Sequence, residues 1–333
     1  MKKPVAVLTS DIHFSLNTLD LATAVFEMAL EKAAKLKVPL YDLGDITNDK
    51  ANLRAEVMNE LLDLMDYAKN LKVPVTLLVG NHSLINEKSE INALEFLSPY
   101  AHIASEAQDD NGIILLPYQS NSKDVIKHLQ SEGSNKLIFA HQGLTGALPG
   151  HYTMDHSAVS KTALPANITV FSGHYHNGQT IDLPNGGTWT YVGNPYTLTF
   201  GEANDTPKGF IVLYDDNSFD RIPCNLRKHV VAERTVETAK DPIPNLNPDD
   251  LLWLKVKGTA TELVNVDKDE LGKIHIGHAN YRFEKIVEQS QEVIKKDEPP
   301  VDLLTQLIYD STEDKESKEE LILLARELLY GNN

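Results

Sequence analysis

The sequence predicts an α/β protein in which layered sheet structure is flanked by helices, followed by a smaller α+β unit and a helical tail. Over the first 200 residues, short apolar runs alternate with longer segments whose apolar residues recur every three or four positions. Strands that alternate with helices indicate crossover connections and a layered α/β architecture. The chain has 333 residues, 41% hydrophobic and 24% charged, which is enough for about two domains and a tail.

The elements of this first part follow from their patterns in chain order. Residues 4–10 (PVAVLTS) predict a buried strand, and residues 21–36 predict an amphipathic helix. Residues 39–44 predict a strand and residues 55–71 a second amphipathic helix. Further along, the patterns predict a helix at 124–130 and strands at 74–80, 136–140, 167–173, 187–193 and 209–215. In a sheet of this kind, ligands collect at the carboxyl ends of the strands.

Prolines divide the rest of the chain. Residues 1–220 form the predicted first domain, and a proline-containing stretch then opens a predicted capping domain at 221–296. Within it, the patterns predict a strand at 251–258, a helix at 266–274 and a strand or a helix at 281–289. Glu298, Pro299 and Pro300 predict a linker at the start of a tail, residues 297–333, with short amphipathic helices at 301–310 and 318–331. The apolar faces of these helices either pack on the protein itself or dock a partner.

Composition limits the function classes. A single cysteine, Cys224, excludes a disulfide framework and a cysteine-based zinc ribbon. The formal net charge of −17 weighs against a nucleic-acid partner without excluding one. The charge is uneven, because residues 221–290 carry eleven basic and eleven acidic side chains while the flanking segments are acidic. Bound divalent cations would offset part of the negative charge of the first domain.

The N-terminus and the hydropathy profile predict a protein free of membrane segments. The sequence MKKPVAVLTSDIHF has a short apolar run that ends before Asp11, so it does not resemble a signal peptide. No run approaches the length of about 18 apolar residues needed to span a bilayer. We therefore expect a soluble protein of a reducing compartment.

Five short polar motifs each follow an apolar strand pattern. Because strand ends converge at one edge of a sheet, these side chains can meet in space. Carboxylate and imidazole groups without a thiolate suit Mn²⁺, Fe²⁺ or Zn²⁺. A bridging carboxylate with further ligands can hold two such cations about 3.5–4 Å apart, which clamps a phosphoryl oxygen and lowers the pKa of a water toward roughly 7. In chain order the motifs are Asp11-Ile12-His13, Gly44-Asp45, Gly80-Asn81-His82, His141 and Gly173-His174-Tyr175-His176.

Each motif alone has an ordinary structural explanation. An Asp-x-His pair arises by chance, and Gly-Asp after a strand is most often a turn. A lone His141 is more often a hydrogen-bonded core residue than a ligand. His174 and His176 are expected on a strand, where they would point to the same face, which suits ligation and also simple exposure. The occurrence of all five motifs in this order, each at a strand end, favours a metal site.

The series resembles the pattern of calcineurin-like metallophosphoesterases, D-x-H, G-D, G-N-H, a lone H and G-H-x-H, over about the first 200 residues. The resemblance implies a layered metallophosphoesterase β-sandwich flanked by helices and two divalent metal ions, Mn²⁺ first and Mg²⁺ as the other candidate. It implies that Asp45 bridges the metals and that His82, which is not a ligand, protonates the leaving oxygen. The implied ligands are Asp11, His13, Asp45 and His176 for the first metal, and Asp45, Asn81, His141 and His174 for the second.

The neighbouring residues indicate a branch of this family. Protein Ser/Thr phosphatases have G-D-x-V-D-R-G, whereas this chain has Gly-Asp-Ile-Thr-Asn-Asp at 44–49, without the arginine. Residues 191–202 (YVGNPYTLTFGE) are similar to the G-S-P-x-x-L-S-F-G-E segment of SbcD-type DNA repair nucleases. They are closer still to the G-T-P-W-T-L-T segment of related phage recombination endonuclease subunits.

The SbcD-type resemblance implies a metal-dependent DNA exonuclease, with endonuclease activity as a further expectation. It implies a second domain that helps to position DNA and tail helices that bind the base of an SbcC-type coiled-coil ATPase. It also implies a homodimer in the cytoplasm of a bacterial or phage-infected cell. Its role would be that of the nuclease subunit of an ATPase-coupled recombination or double-strand-break repair complex.

Two other functions remain open. The first is a phosphodiesterase for cyclic or other small nucleotides, built on the same core; such an enzyme would not need the chain beyond residue 220. The second is a scaffold that recruits the ATPase without catalysis. A complete set of candidate metal ligands argues against the scaffold, because a purely structural role gives no reason to keep them all.

Overall fold

The computed structural model describes residues 2–50, 52–85, 91–132, 136–148, 155, 157–205, 208–277 and 281–288. Within these ranges no helix has both the length and the apolar character needed to cross a membrane. The helices are α1 (Leu19–Leu36), α2 (Ala55–Leu71), α3 (Ser122–Glu132), α4 (Ala260–Val264) and α5 (Lys268–Ile276). The strands are β1 (Pro4–Thr9), β2 (Leu40–Asp42), β3 (Val75–Leu78), β4 (His102–Ala104), β5 (Gln108–Asp110), β6 (Ile113–Leu116), β7 (Leu137–His141), β8 (Ile168–Gly173), β9 (Gln179–Asp182), β10 (Gly187–Tyr191), β11 (Gly209–Tyr214), β12 (Phe219–Pro223), β13 (His229–Thr235), β14 (Leu251–Gly258) and β15 (Arg282–Val287).

Two six-stranded sheets form the first part of the molecule. The first sheet has the order β12-β11-β1-β2-β3-β4, and the second has the order β5-β6-β7-β8-β10-β9. Strands β1 to β4 pair in parallel, as do β6, β7, β8 and β10. Helices α1 and α2 supply the crossover connections that parallel neighbours require. The predicted alternation of strands and helices is therefore present.

The two sheets are packed into layers by apolar side chains on both of their faces. Leu8, Phe139 and Phe171 belong to one buried cluster that joins the two sheets. Helices α1 and α2 cover the other face of the first sheet, and α3 packs on the second sheet. Helix α1 has this position because its apolar residues recur every three or four positions and lie on one buried face. The predicted α/β class, with layered sheets flanked by helices, is confirmed.

A third, smaller sheet contains β13, β14 and β15, all parallel. Alternate residues of β14, including Leu252, Leu254 and Val256, are buried in a cluster with residues of α4 and α5. The opposite face of β14 is only partly buried. Residues 281–289, for which the pattern allowed a strand or a helix, contain strand β15.

The predicted first boundary requires a small correction. Residues 221–223, which the sequence analysis assigned to the capping domain, belong to β12 and pair with β11 of the first sheet. The pairing continues past residue 220 because β11 is long enough to match all five residues of β12. The division into domains otherwise stays a prediction. Residues 289–333, with the predicted linker and both tail helices, lie outside the described residues.

Candidate metal centre

The sequence-predicted site residues lie where strands of both large sheets end. Asp11, Asp45 and Asn81 lie in the loops after β1, β2 and β3 of the first sheet. His141 is the last residue of β7, and His174 follows the last residue of β8, both in the second sheet. Contacts between the loops join the site residues of the first sheet to those of the second. For example, the main-chain N–H of His174 donates to the Asp11 carboxylate at 3.1 Å. The site is thus built between the two sheets.

Six of the predicted residues form two groups that could each hold a metal ion. In each group the three candidate ligand atoms lie within 4.8 Å of one another. The donor atoms are carboxylate oxygens and imidazole nitrogens, which suit divalent cations of intermediate hardness. The first group is Asp11, His13 and His176, and the second group is Asp45, His141 and His174.

The first group is held by short contacts around two imidazoles. Nε2 of His13 lies 3.1 Å from Nε2 of His176. Nδ1 of His176 lies 2.8 Å from the Glu202 carboxylate. Because a carboxylate accepts, Nδ1 of His176 carries the hydrogen, and the Nε2 lone pair of the neutral ring faces the site. Nδ1 of His13 is buried and has no hydrogen-bond partner among the described residues.

The second group is arranged around His141. Its Nδ1 donates to the main-chain oxygen of Leu43 at 2.6 Å, and its Nε2 lies 3.2 Å from Oδ2 of Asp45. The Asn81 amide oxygen lies 3.2 Å from the same Nε2 and 3.0 Å from Nδ1 of His174. Asn81 therefore stands beside the second group.

Asp45 lies between the two groups. Its main-chain oxygen accepts from the N–H of His13 at 3.0 Å. Its Oδ2 contacts His141, and its Oδ1 accepts from the main-chain N–H of His82 at 2.8 Å. The carboxylate thus contacts the second group directly, and its charge also acts on His13 of the first group, as a bridging ligand requires. The assignment of individual ligands stays a prediction.

His82 lies beside both groups without belonging to either. Its Nδ1 is 2.7 Å from the main-chain oxygen of Asn48, which can only accept, so Nδ1 carries a hydrogen. Its ring centre lies 4.9 Å from that of His13, and its side chain is only partly buried. Asn48, which the sequence analysis did not place in the site, thus orients this imidazole through its main chain.

Four of the site residues have an unusual backbone conformation. The φ angles of Asp11, His13, Asp45 and His174 are 52°, 54°, 56° and 90°. A non-glycine residue in this region costs of order 1–3 kcal/mol and persists where the surrounding structure enforces it. Such residues concentrate at functional sites, so the strain itself supports a functional centre here.

The prediction that His174 and His176 share a face of a strand is wrong. Strand β8 ends at Gly173, and the positive φ of His174 turns the chain immediately afterwards. The alternation of side chains along a strand therefore does not apply. Instead, His174 joins the second group and His176 joins the first.

Two motif positions require glycine because neighbouring side chains approach the backbone there too closely for a Cβ atom. A Cβ atom at Gly44 would overlap the imidazole of His141, and Gly44 also has a φ of 99°. A Cβ atom at Gly80 would overlap the carboxylate of Asp45. Glycine at these positions lets the loops carry the candidate ligands into contact.

Burial and mutual attraction shift the titration of the buried groups. Burial lowers the pKa of His13 to about 4, because desolvation penalises the imidazolium more than the nearby carboxylates favour it. Burial alone would raise the pKa of Asp45 and lower that of His141. The attraction between the two groups outweighs burial, so the pKa of the Asp45 carboxyl falls well below its usual range and the pKa of His141 rises to about 9.

Two carboxylates contact ring nitrogens of His174 and His176, and no role was predicted for either carboxylate from the sequence. Glu202 contacts Nδ1 of His176, and the pKa of Glu202 falls to about 2 because the contact with His176 outweighs burial. Asp155 lies 3.2 Å from Nε2 of His174. Its carboxylate also accepts from the Tyr175 hydroxyl at 2.9 Å and from the Ser157 hydroxyl at 2.6 Å. Carboxylates in this position fix the tautomer and orientation of metal-binding imidazoles.

Glu202 was visible in the sequence as the last residue of the YVGNPYTLTFGE segment. Asp155 had no such signal, because it lies in a loop outside every motif. The complete arrangement provides nitrogen and oxygen ligands for two divalent cations beside a partly exposed imidazole. This is the ligand set of a two-metal hydrolase.

Comparisons with known proteins give one curated relative. No known family model matches the chain. The relative is "Exonuclease subunit 1" of Enterobacteria phage T4, which is 23% identical over 177 residues. The alignment covers 50% of this chain and 50% of that protein. The chain therefore spans about half the length of the curated relative that it matches.

Solved structures with partial likeness were also found. A dimetal phosphatase from Danio rerio has a TM-score of 0.38 and 14% identity, covering 64% of this chain and 93% of that chain. An archaeal phosphodiesterase has a TM-score of 0.35 and 12% identity, covering 67% and 99%. The nuclease MPE of Pseudomonas putida has a TM-score of 0.33 and 14% identity, covering 62% and 84%. At these TM-scores the likeness carries no functional argument.

Proposed function

We propose that this protein is a metal-dependent DNA exonuclease of the calcineurin-like metallophosphoesterase family, similar to SbcD-type nucleases. The observation that carries the proposal is the convergence of two candidate metal-binding groups, with Asp45 between them and His82 beside them. Phosphodiester hydrolysis needs both charge neutralisation and a proton donor, and this arrangement offers both.

The proposed ligands are those named from the sequence. Asp11, His13 and His176 would hold one cation and His141 and His174 the other, with Asp45 shared and Asn81 completing the second set. When bound, the two cations would supply Lewis-acid chemistry and a water of lowered pKa. Mn²⁺ is the proposed metal, with Mg²⁺ as the other candidate, because nitrogen and oxygen donors are mixed and thiolate is absent from the set.

His82 is the proposed catalytic acid. Its Nδ1 hydrogen is engaged by Asn48, so the proton that it exchanges with substrate is the one at Nε2. Water adds to the phosphorus atom and releases one proton to solvent, the bond from phosphorus to the sugar oxygen breaks, and Nε2 of His82 gives its proton to that oxygen. His82 then regains a proton from solvent, so that the overall change is the addition of one water across the bond. The partial exposure of His82 leaves room for a substrate at this position.

DNA as the substrate is supported by the relative from phage T4, whose name is that of an exonuclease subunit. Since the match spans half of each protein, exonuclease activity and any endonuclease activity of the whole chain are part of the proposal. The proposal also includes the SbcC-type ATPase partner, the homodimer, the role in recombination or double-strand-break repair and the cytoplasmic location. The tail proposed to bind the ATPase lies outside the described residues.

A phosphodiesterase for cyclic or other small nucleotides is the second candidate. The observation that favours it is that every residue of the metal centre lies between positions 11 and 202. The chemistry therefore does not require the sheet of β13 to β15, and the site by itself does not fix the size of the substrate.

Hydrolysis assays separate these functions. End-labelled linear duplex DNA and a cyclic nucleotide are each incubated with the full chain and Mn²⁺. Release of mononucleotides from DNA supports the proposed exonuclease and gives its polarity. Turnover of the cyclic nucleotide with intact DNA would replace the proposal with the second candidate, and no turnover of either would favour the scaffold.

A further inference from the structure

A small cavity lies next to the metal centre. Its volume is about 200 Å³, and it lies between the loop that follows β10 and the segment that joins β12 to β13. Its wall includes Thr197 and Glu202 on one side and Arg227, Lys228 and His229 on the other. Because Glu202 also contacts Nδ1 of the candidate ligand His176, one side chain separates the cavity from the metal centre.

The two carboxylates in the wall of this cavity already have partners. Glu202 accepts hydrogen bonds from His176, from the Asn194 amide at 2.9 Å and from the main-chain N–H of Leu198 at 2.8 Å. Asp205 forms an ion pair of 2.7 Å with Lys208. Lys208 also lies 3.7 Å from Glu202. The two carboxylates and this lysine together carry one negative charge, against the two positive charges of Arg227 and Lys228.

The positive charges of Arg227 and Lys228 have no such compensation. Both side chains are partly buried, and within the described ranges no carboxylate forms an ion pair with either of them. A partly buried guanidinium loses hydration, which a planar anion with two acceptor oxygens can replace. The wall of the cavity thus has unpaired positive charge.

The cavity wall is held in a fixed conformation. The main-chain N–H of Lys228 donates to Asp250 at 3.0 Å. The Thr197 hydroxyl oxygen accepts from the main-chain N–H of His229 at 2.7 Å and lies 2.9 Å from Nδ1 of that ring.

We propose that this cavity binds a backbone phosphate of the DNA strand, with Arg227 and Lys228 as its charged contacts. The inference rests on the proposed function, since it names a second phosphate site beside the one that is cleaved. A phosphate held here would fix the register of the strand relative to the metal centre, as backbone contacts do in other nucleic-acid complexes.

The test compares DNA binding of Arg227→Gln and Lys228→Gln with that of wild type. Fluorescence anisotropy of a labelled linear duplex is measured in chelator at several salt concentrations, so that binding is separated from cleavage. Each variant should bind roughly tenfold more weakly, with a salt dependence reduced by about one released ion. Lys240→Gln is the matched control, because Lys240 is exposed and already paired with Glu270.

Hydrolysis of bis(p-nitrophenyl) phosphate with Mn²⁺ reports whether the variants fold and keep the metal centre. Unchanged turnover of this small ester is expected in all three variants, and Arg227→Lys should restore part of the lost affinity. Wild-type affinity in the Arg227 and Lys228 variants would overturn the phosphate site, as would an equal loss in Lys240→Gln or no DNA binding by wild type. Whether wild type cuts the duplex with Mn²⁺ tests the proposed function separately.

Discussion

Nε2 of His13 lies 3.1 Å from Nε2 of His176, although the two residues come from loops of different sheets. The Glu202 contact holds the hydrogen of His176 on the opposite nitrogen, so the two facing nitrogens need a shared cation or a shared proton. Burial lowers the pKa of His13 to about 4, whereas the contact with Glu202 outweighs burial and raises the pKa of His176. A neutral imidazole can bind a divalent cation, which is the shared partner that the proposed metal centre requires.

Asp45→Asn should weaken binding of both metals. The substitution keeps the shape of the side chain but removes the charge that lies between the two groups. Calorimetric titration with Mn²⁺ should give weaker binding at both sites, whereas Asp49→Asn, at an exposed neighbouring position, should titrate like wild type. Two metals bound with wild-type affinity would contradict a bridging role for Asp45.

His82→Ala should abolish hydrolysis while both metals remain. The reason is that His82 lies beside the candidate ligands but in neither group. Loss of a general acid lowers the rate by roughly a hundredfold to ten-thousandfold. The measurements are DNA hydrolysis and Mn²⁺ content of the same preparation, with exposed His102→Ala as the control. Loss of a metal in His82→Ala would make His82 a ligand instead.

Asp155→Asn and Glu202→Gln should each affect a different metal. Asp155 supports His174 of the second group, and Glu202 supports His176 of the first. Removing such a carboxylate lowers metal affinity by roughly 10–100-fold. Calorimetric titration with Mn²⁺ should show one weakened site in each variant and two in the double variant. If both single variants weakened the same site, the division into two groups would be wrong.

Phe139→Ala should destabilise the molecule strongly without removing any part of the metal centre. The Phe139 ring is fully buried between the sheets, 4.9 Å from the Tyr41 ring centre and 6.4 Å from that of Phe171. Such a truncation costs about 3–5 kcal/mol of unfolding free energy. Urea denaturation checks this value, and Tyr100→Ala, at a side chain 47% exposed, is the control. Equal urea midpoints for Phe139→Ala and wild type would show that the two sheets do not share a core at Phe139.

The sequence predicts much of this site because its chemistry lies in short motifs next to strands. Asp11 and Asp45 follow runs whose apolar character marks them as buried strands, so their convergence could be expected from the ends of β1 and β2. The glycines at 44 and 80 are part of the same local signal, since their missing side chains make space for His141 and Asp45.

The rest depends on contacts between distant parts of the chain. Asp155 reaches His174 from a loop without a motif, so nothing local marks it. The pattern also missed six strands, which are β4, β5, β6, β9, β12 and β13. Of these, β4, β5 and β9 have only three or four residues and include polar side chains at sheet edges. The error at His174 has a similar cause, because its positive φ accompanies a hydrogen bond from its main-chain N–H to the distant Asp11, which its residue type does not indicate.

The most direct test of a two-metal nuclease measures bound Mn²⁺ and DNA hydrolysis in one preparation of the full chain. We expect two Mn²⁺ ions per chain and hydrolysis of linear duplex DNA that appears as the second ion binds. Removal of the metal by chelator should stop hydrolysis, and readdition should restore it. A single bound ion at saturation, or hydrolysis that persists in chelator, would contradict a two-metal nuclease.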